Sequence, residues 1–468
     1  MAHRMHVSYH MMPAGSPTTR VSGSRDSAES RPGSSLFDCQ DGAAPYTCYD
    51  PNQMRAAYGT SVFVSGGKNG RGKTIVIVDA FQDPNVVSEL ATFDSYFGIL
   101  PFNAGPGTPT FTEIAPQGLT TFNPTDANMQ GWAGEIALDV EWSHAMAPGA
   151  NIVLDLSTND SDGSAAAATK FAVDHKLGDI ISMSFGDSEA CVNPSTPLVA
   201  WHQIFAKATQ ERMTLIASSG DAGAGQYTCD GSSFVKGVSY PASDPLVTGV
   251  GGTDLRAASY CVAMSGCPTT QPSPGTYLSE YGWNEPSGTA GFQGNPSGGG
   301  GFSILFPRPA FQRGVVHAAM RGVPDVSYNA ACNHGVLTYT DIPGTPAGWF
   351  TFCGTSAGSP QWAGIVAIAD QIGSRDYGFI NAALYKISKN PVLYAHTFHD
   401  IVTGTNSVVE YDTSNNPVLI SGYSAHAGWD ADTGLGSPIF PGLIARLPKA
   451  WSKSQGTAAI RDAAHFSG

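Results

Sequence analysis

A serine in the segment GTSAGSP, Ser356, is the first candidate for chemistry in this chain. It precedes the apolar helical run QWAGIVAIADQIG, and Gly354 stands two residues before it. A nucleophile at such a helix start gains from the positive helix end, and small neighbours leave room for a substrate backbone. An ordinary serine helix cap would look the same. A hydroxyl needs a base to act as a nucleophile, and the usual base is histidine. No histidine here sits in an HGT-type segment at a helix start; His144 lies in a helical stretch, and His334 and His399 lie in loop-like ones. Glu135 and Asp139 are better placed, four residues apart in a helical pattern and therefore on one face. Like charges that close raise one pKa and allow a shared proton, so the pair could serve as a base in acid. On spacing alone, a solvated face carrying two acids is the simpler reading. Asp221 lies in ASSGDAGAG, directly after a strand, where an acid is often just a turn residue. Ionised, it would repel a developing oxyanion; protonated, it would donate to one, which requires low pH or a raised pKa.

The elements around these residues alternate. TIVIVDA (Thr74–Ala80), NIVLDL (Asn151–Leu156), DIISMS (Asp179–Ser184) and MTLIA (Met213–Ala217) read as short apolar strands. Helices are expected at 86–97, Gly131–Ala147, through GSAAAATKFAVDHKLG, and at 196–211. Continuous apolar strands between helices predict an α/β fold, a buried parallel sheet with helices on both faces. Catalytic groups in such sheets gather outside the carboxyl ends of the strands, where Asp79, Ser184 and Asp221 fall. Residues 255–301, rich in Gly, Pro and Ser, read as long surface loops.

Composition narrows the class. The chain has 468 residues, 24 Lys+Arg against 38 Asp+Glu, and a net charge of −14. That balance excludes nucleic acid as a partner, since phosphate neutralisation needs a basic excess. It also suits an acidic setting, where few Lys and Arg limit positive self-repulsion. No apolar run is long enough to span a membrane, and the N-terminal stretch MAHRMHVSYHMMPAGSPTTR shows no apolar signal-peptide core. Eight separated cysteines fit disulfides and an oxidising compartment, with buried free thiols as the alternative. Pairing neighbours gives Cys39–Cys48, Cys191–Cys229, Cys261–Cys267 and Cys332–Cys353. Residues 1–38 read as a disordered leader, 39–450 as one large domain, and 451–468 as a tail.

Together GEIALD, SSGDAGA, YPASDPLVTGVGGT, GGGFSILFPRP, GTSAGSP, FHDIVTGTN and GWDADTGLGSP resemble the sedolisin family, serine-carboxyl peptidases of subtilisin-like fold. The segments stand in that family's order over roughly residues 46–445. The resemblance implies a single subtilisin-like catalytic domain that hydrolyses polypeptides in acid through an acyl-enzyme on Ser356. It implies Glu135 as general base, Asp139 as the acid orienting it, Asp221 as oxyanion stabiliser, and Asp79 as an extension of the carboxylate network. Ser184, Phe185 and Gly186 would form a wall that pairs with substrate backbone, Phe185 standing where many relatives carry Trp and so reshaping the pocket. One structural Ca²⁺ is implied, held by the Asp400 and Asp430 carboxylates and the carbonyls of Ile401, His426 and Gly428, with His426 where the family has Gly. An extracellular monomer is expected, with its pro-domain separate or removed. Two alternatives remain open here: a histidine-dependent peptidase using Asp79, His144 and Ser356, and an inactive calcium-binding relative acting as a binding module.

Overall fold

The computed structural model describes residues 5–7, 10–14, 36–41, 43–192, 197–260 and 272–463. Strands and helices are numbered in chain order. Two short strands, β1 (His6–Val7) and β2 (His10–Pro13), open the chain. Then come β3 (Thr74–Ala80), helix α1 (Val86–Phe97), β4 (Phe111–Ile114), helix α2 (Ala127–Met146), β5 (Asn151–Ser157) and helix α3 (Asp162–Asp174). Strands β6 (Ile180–Met183) and β7 (Phe185–Ser188), helix α4 (Pro197–Gln210), β8 (Thr214–Ser218), β9 (Ser239–Tyr240), β10 (Thr248–Ala257) and β11 (Tyr277–Gly282) follow. The rest of the frame is β12 (Val326–Asn329), β13 (His334–Thr340), β14 (Gly348–Cys353), helix α5 (Gly358–Gly373) and the hairpin β15 (Val408–Tyr411)–β16 (Pro417–Ile420).

The central sheet has eight strands in the order β11-β10-β8-β6-β3-β5-β4, with β12 also paired to β10. All its pairings are parallel except β10–β11. Side chains alternate along a strand, and β3 shows what that does here. Ile75 and Ile77 enter a core shared with Trp142 of α2 and Trp362 of α5. Val76 and Val78 enter a second core with Ala168 of α3 and Phe205 of α4. Both faces are covered, which is why the strand reads as an unbroken apolar run. The expected α/β, subtilisin-like parallel sheet is therefore present as a single domain.

Two expectations are corrected. Most of the leader read as structureless, residues 1–4, 8–9 and 15–35, lies outside the described residues, but within its described part β1 pairs antiparallel with β7, His6 opposite Gly186 and Val7 opposite Phe185. Strand β2 pairs antiparallel with β14, from Pro13 opposite Phe350 to His10 opposite Cys353. Such short strands borrow their backbone hydrogen bonds from edges the domain already offers, so no hydrophobic period announces them. The glycine-rich stretch near 300 is also not a loose loop. Added Cβ atoms would lie 2.0 Å from Ser219 O at Gly299 and 2.2 Å from Ala431 O at Gly300. These glycines let backbone pack on backbone beside the site. Upstream, Tyr277–Gly282 forms the antiparallel edge strand β11.

Three disulfides are formed, Cys39–Cys48, Cys191–Cys229 and Cys332–Cys353. The expected Cys261–Cys267 pair lies outside the described residues. Cys332–Cys353 clamps the end of β14 immediately before the Ser356 turn, and Cys191–Cys229 ties the segment after β7 to the loop carrying Tyr227. No helix among the described residues is long and apolar enough to cross a membrane.

Candidate active site

Ser356 sits in a 3₁₀ turn, Thr355–Ala357, between β14 and α5. The turn is entered through Gly354 at φ 116°, a conformation that disfavours any side chain. The serine is buried, and its Oγ donates to the carbonyl of Ser184 at 3.2 Å. Helix α2 supplies Glu135 and Asp139, both buried rather than solvated. Asp126 caps that helix, accepting from Asn128 N and Met129 N. Asp139 Oδ1 accepts from Ser184 Oγ at 2.8 Å. Ser184 thus touches both ends of the machinery, its carbonyl on the nucleophile and its hydroxyl on the second acid.

The Glu135 carboxylate holds no hydrogen bond of ordinary geometry, but it lies close enough to Ser356 for the hydroxyl to lower its pKa. Catalytic hydrogen bonds are often long until substrate tightens them. Desolvation is the larger influence and drives the Glu135 pKa well above its usual range, with the charges of Asp139, Asp79 and Asp221 adding to it. Burial also raises Asp139, although hydrogen bonds from Ser184 and Glu135 oppose it. Asp79, at the end of β3, has both oxygens buried without a partner and is raised by burial and then by Asp139. Three carboxyls in one dry space cannot all be charged, so they share protons.

Asp221 follows β8 and faces the nucleophile turn from the other side. Its Oδ1 accepts from Thr355 N at 2.8 Å and Thr355 Oγ1 at 2.9 Å. Its Oδ2 is buried with no partner. Burial pushes its pKa up to about 7, against the two bonds from Thr355. The carboxyl therefore holds its proton in acid, and Oδ2 is the oxygen free to carry and donate it.

The three histidines named from the sequence lie elsewhere. His144 is buried with its Nε2 on Leu100 O at 2.8 Å and on Asp94 at 3.4 Å, its ring packed on Phe102. His334 pairs with Asp254 and His399 stacks on Tyr277. Nε2 of His144 is thus engaged away from the nucleophile, and among the described residues no histidine is hydrogen-bonded to Ser356.

Strand β7 carries Phe185 and Gly186, paired on one edge with β9 and on the other with β1. The Phe185 side chain packs in the core beside Trp132 and Trp201, so a Trp-to-Phe change there acts on packing rather than on the cavity wall. The cavity beside Asp221, of about 370 Å³, is instead lined from β7 by Gly186, Asp187 and Ser188, with Tyr227 and Glu410 opposite. Sequence reading missed Tyr227, Thr355 and Glu410. Thr355 lies inside GTSAGSP and could have been found there; the alternation and turn residues of VVEYDTSNNPVLI were the available hairpin signal for Glu410.

Two chain segments that carry the expected metal ligands, 400–401 and 426–430, meet through the Gly428 N–H. Asp400 accepts from Gly428 N at 3.0 Å and from Tyr394 OH at 2.9 Å, and Asp430 accepts from His426 N at 3.0 Å. Ile401 adjoins Asp400 and is buried. Among the described residues no three His, Cys, Asp or Glu side chains are grouped to hold a metal. The two carboxylates, Asp400 and Asp430, are oxygen donors of the kind that Ca²⁺ takes.

Comparison with known proteins agrees with this frame. Residues 130–377 match the subtilase family model. The chain is 31% identical to kumamolisin of Bacillus sp. (strain MN-32) over 430 residues, 90% of this chain and 67% of that protein. It is 32% identical to sedolisin of Pseudomonas sp. (strain 101) over 402 residues, 83% of this chain and 59% of that protein. The chain belongs to the sedolisin family of serine-type peptidases. The solved structure of Pseudomonas sedolisin, a serine-carboxyl proteinase complexed with two molecules of pseudo-iodotyrostatin, superposes with a TM-score of 0.68 at 28% identity, covering 87% of this chain and 99% of that one. The chain spans about three-fifths to two-thirds of the length of these two curated relatives.

Proposed function

We propose that this sedolisin-family chain is an acid-active serine-carboxyl endopeptidase acting on polypeptides. One observation carries the reading: three buried carboxyls, Glu135, Asp139 and Asp79, and the half-buried Asp221 gather near Ser356, with no histidine among the described groups there. Ser356 Oγ attacks the scissile carbonyl while Glu135 takes its proton. Asp139, fixed by Ser184, orients Glu135 and shares the charge; Asp79 backs the pair. The proton on Asp221 Oδ2 is donated to the oxyanion, and Glu135 returns its own proton to the leaving amine. Water then repeats the sequence to release the acyl group. Substrate backbone adds as a strand to β7, along the edge of Phe185 and Gly186 that β1 holds.

A structural Ca²⁺ belongs to the same proposal, held by Asp400, Asp430 and the carbonyls of Ile401, His426 and Gly428. When bound it supplies cross-linking of the loop and no chemistry. The same proposal places the protein outside the cell as a monomer.

The test is proteolysis of a denatured protein between about pH 2 and 8, a range that brackets the carboxyl and imidazole pKa values. Wild type is expected to be active in acid, and Ser356→Ala and Glu135→Ala to be inactive. Glu135→Ala with activity intact, or an optimum above neutrality, refutes the mechanism. A peptide aldehyde that fails to label Ser356 in active conditions would favour the inactive binding module instead.

A further inference from the structure

The cavity beside Asp221 has a chemical character that the peptide-bond machinery does not use. Among the described residues four carboxylic ones line it, Asp187, Asp221, Glu410 and Asp412, and neither Lys nor Arg does. Glu410 stands out among them. It is only 7% exposed. It makes no hydrogen bond or ion pair among the described residues, yet its carboxyl faces the cavity rather than a partner. The backbone is shaped to seat it there, since a Cβ on Gly294 would lie 2.0 Å from Glu410 Oε2. Tyr227 faces it, near enough for the Glu410 charge to raise the phenol pKa. Asp412, also in the lining, is held below the usual carboxylate range by the Asn416 backbone N–H. An anionic side chain entering this space would meet acids on every side.

One side chain already lies in it. Strand β1 adds to β7 as a substrate strand would, and its His6 lines the cavity with the imidazole 5.2 Å from the Tyr227 ring. An imidazole of the chain itself is therefore brought to this cavity by the backbone pairing proposed for a substrate.

We infer that this cavity is a side-chain subsite for a basic residue of the substrate, with Glu410 as its counter-group and His6 of the chain itself as its occupant. This rests on the peptidase reading above. Burial raises the Glu410 pKa to about 7, so with no cation beside it the carboxyl keeps its proton in acid; a basic side chain within hydrogen-bond reach favours the ionised form, and the charged hydrogen bond so formed is the usual origin of strong side-chain selection.

The test uses the full chain and fluorogenic peptides of one neutral sequence, carrying a single Arg, Lys, norleucine or Glu at each acyl-side position in turn. Wild type is expected to prefer Arg or Lys over norleucine by about tenfold in kcat/KM at one position and to disfavour Glu there; charged hydrogen bonds are worth roughly that factor. In Glu410→Gln the preference should fall to near unity, while turnover of the norleucine peptide stays as in wild type and reports an intact fold and catalytic centre. Absence of any basic preference in wild type, or its survival in Glu410→Gln, overturns the inference. Arg and norleucine peptide aldehydes compared as inhibitors of wild type decide the same point without a variant: equal inhibition overturns it. If wild type cleaves none of the peptides, the peptidase reading falls and takes this subsite with it, a result distinguishable because the norleucine peptides fail too.

Discussion

Replacing Asp221 by asparagine separates proton donation from mere polarity at the oxyanion position. The amide keeps the shape of the carboxyl. Its oxygen can still accept from Thr355 N and Thr355 Oγ1, which lie 2.8 and 2.9 Å from Asp221 Oδ1. Its nitrogen then takes the place of Oδ2, the atom that has no partner in the protein, and donates at every pH. In wild type the donor exists only while Asp221 is protonated. With a pKa of about 7, it is protonated in about 99% of molecules at pH 5 and about 9% at pH 8. Catalysis should therefore fall about tenfold from pH 5 to pH 8 through this residue alone. Asp221→Asn is expected to lose that decline, keeping activity in acid within about tenfold of wild type, because a neutral donor is retained. Asp221→Ala, which removes the donor, should cost about 10²- to 10³-fold in kcat at every pH. The assay is kcat for one neutral peptide from pH 3 to pH 9, with folding checked by circular dichroism at each pH. Two results refute the reasoning: an alkaline decline of unchanged midpoint in Asp221→Asn, or an Asp221→Ala enzyme with near wild-type kcat.

Three further outcomes are expected. Ser184→Ala removes the 2.8 Å bond to Asp139 and should lower kcat at least tenfold with little change in KM and shift the acid limb of the pH profile, since the base pair loses its fixed partner; an unchanged profile would refute the positioning role. A chain lacking residues 1–14 frees the β7 edge that β1 occupies and should show a lower KM for peptides at unchanged kcat; an equal or higher KM counts against substrate taking that edge. Removal of Ca²⁺ by a chelator should lower Tm by several degrees in wild type and leave Asp430→Ala unaffected, as differential scanning fluorimetry would show; a chelator effect of the same size in both would place the ion elsewhere.

The fold was legible because its logic is local. A strand such as Ile75–Val78, buried on both faces, has to be apolar throughout, and that pattern survives in one dimension. The four-residue spacing of Glu135 and Asp139 was equally legible as one helix face, but burial was not. Whether two acids on a helix meet water or a dry pocket depends on what Ser184, Asp79 and Asp221 bring from strands far away in the chain. The family segments stood in for that missing information. What they could not supply was the cavity wall: Glu410 arrives on a hairpin nearly two hundred residues beyond Asp221, and His6 on a leader whose composition reads as disorder. Backbone pairing between distant edges leaves no period in sequence, so both escaped.

The burial that tunes the site also sets the pH range of the fold. A carboxyl whose folded pKa is raised binds its proton in the folded state but not in the unfolded chain between the two values. Stability is then fully present below the unfolded pKa and is lost as pH rises toward the folded pKa. Asp221 illustrates the scale: from 3.8 to about 7, at ~1.4 kcal/mol per pH unit, the loss is about 4 kcal/mol by neutrality. Asp155, pushed by burial to about 8, acts in the same direction, as does Glu280 at about 6. Exposed Asp174 and Asp230, held near 2 by their hydrogen bonds, oppose the trend only below about pH 4. Thermal unfolding should therefore show a higher Tm near pH 4 than near pH 8, and a Tm that climbs steadily toward pH 8 would contradict the placement of these acids in dry space. On the proposed mechanism catalysis needs Asp221 protonated, and the raised pKa values make the fold firmest where it is protonated. A histidine-based site would not couple the two in this way, because an imidazole gains its charge in acid and burying it would weaken the fold where this chain is strongest.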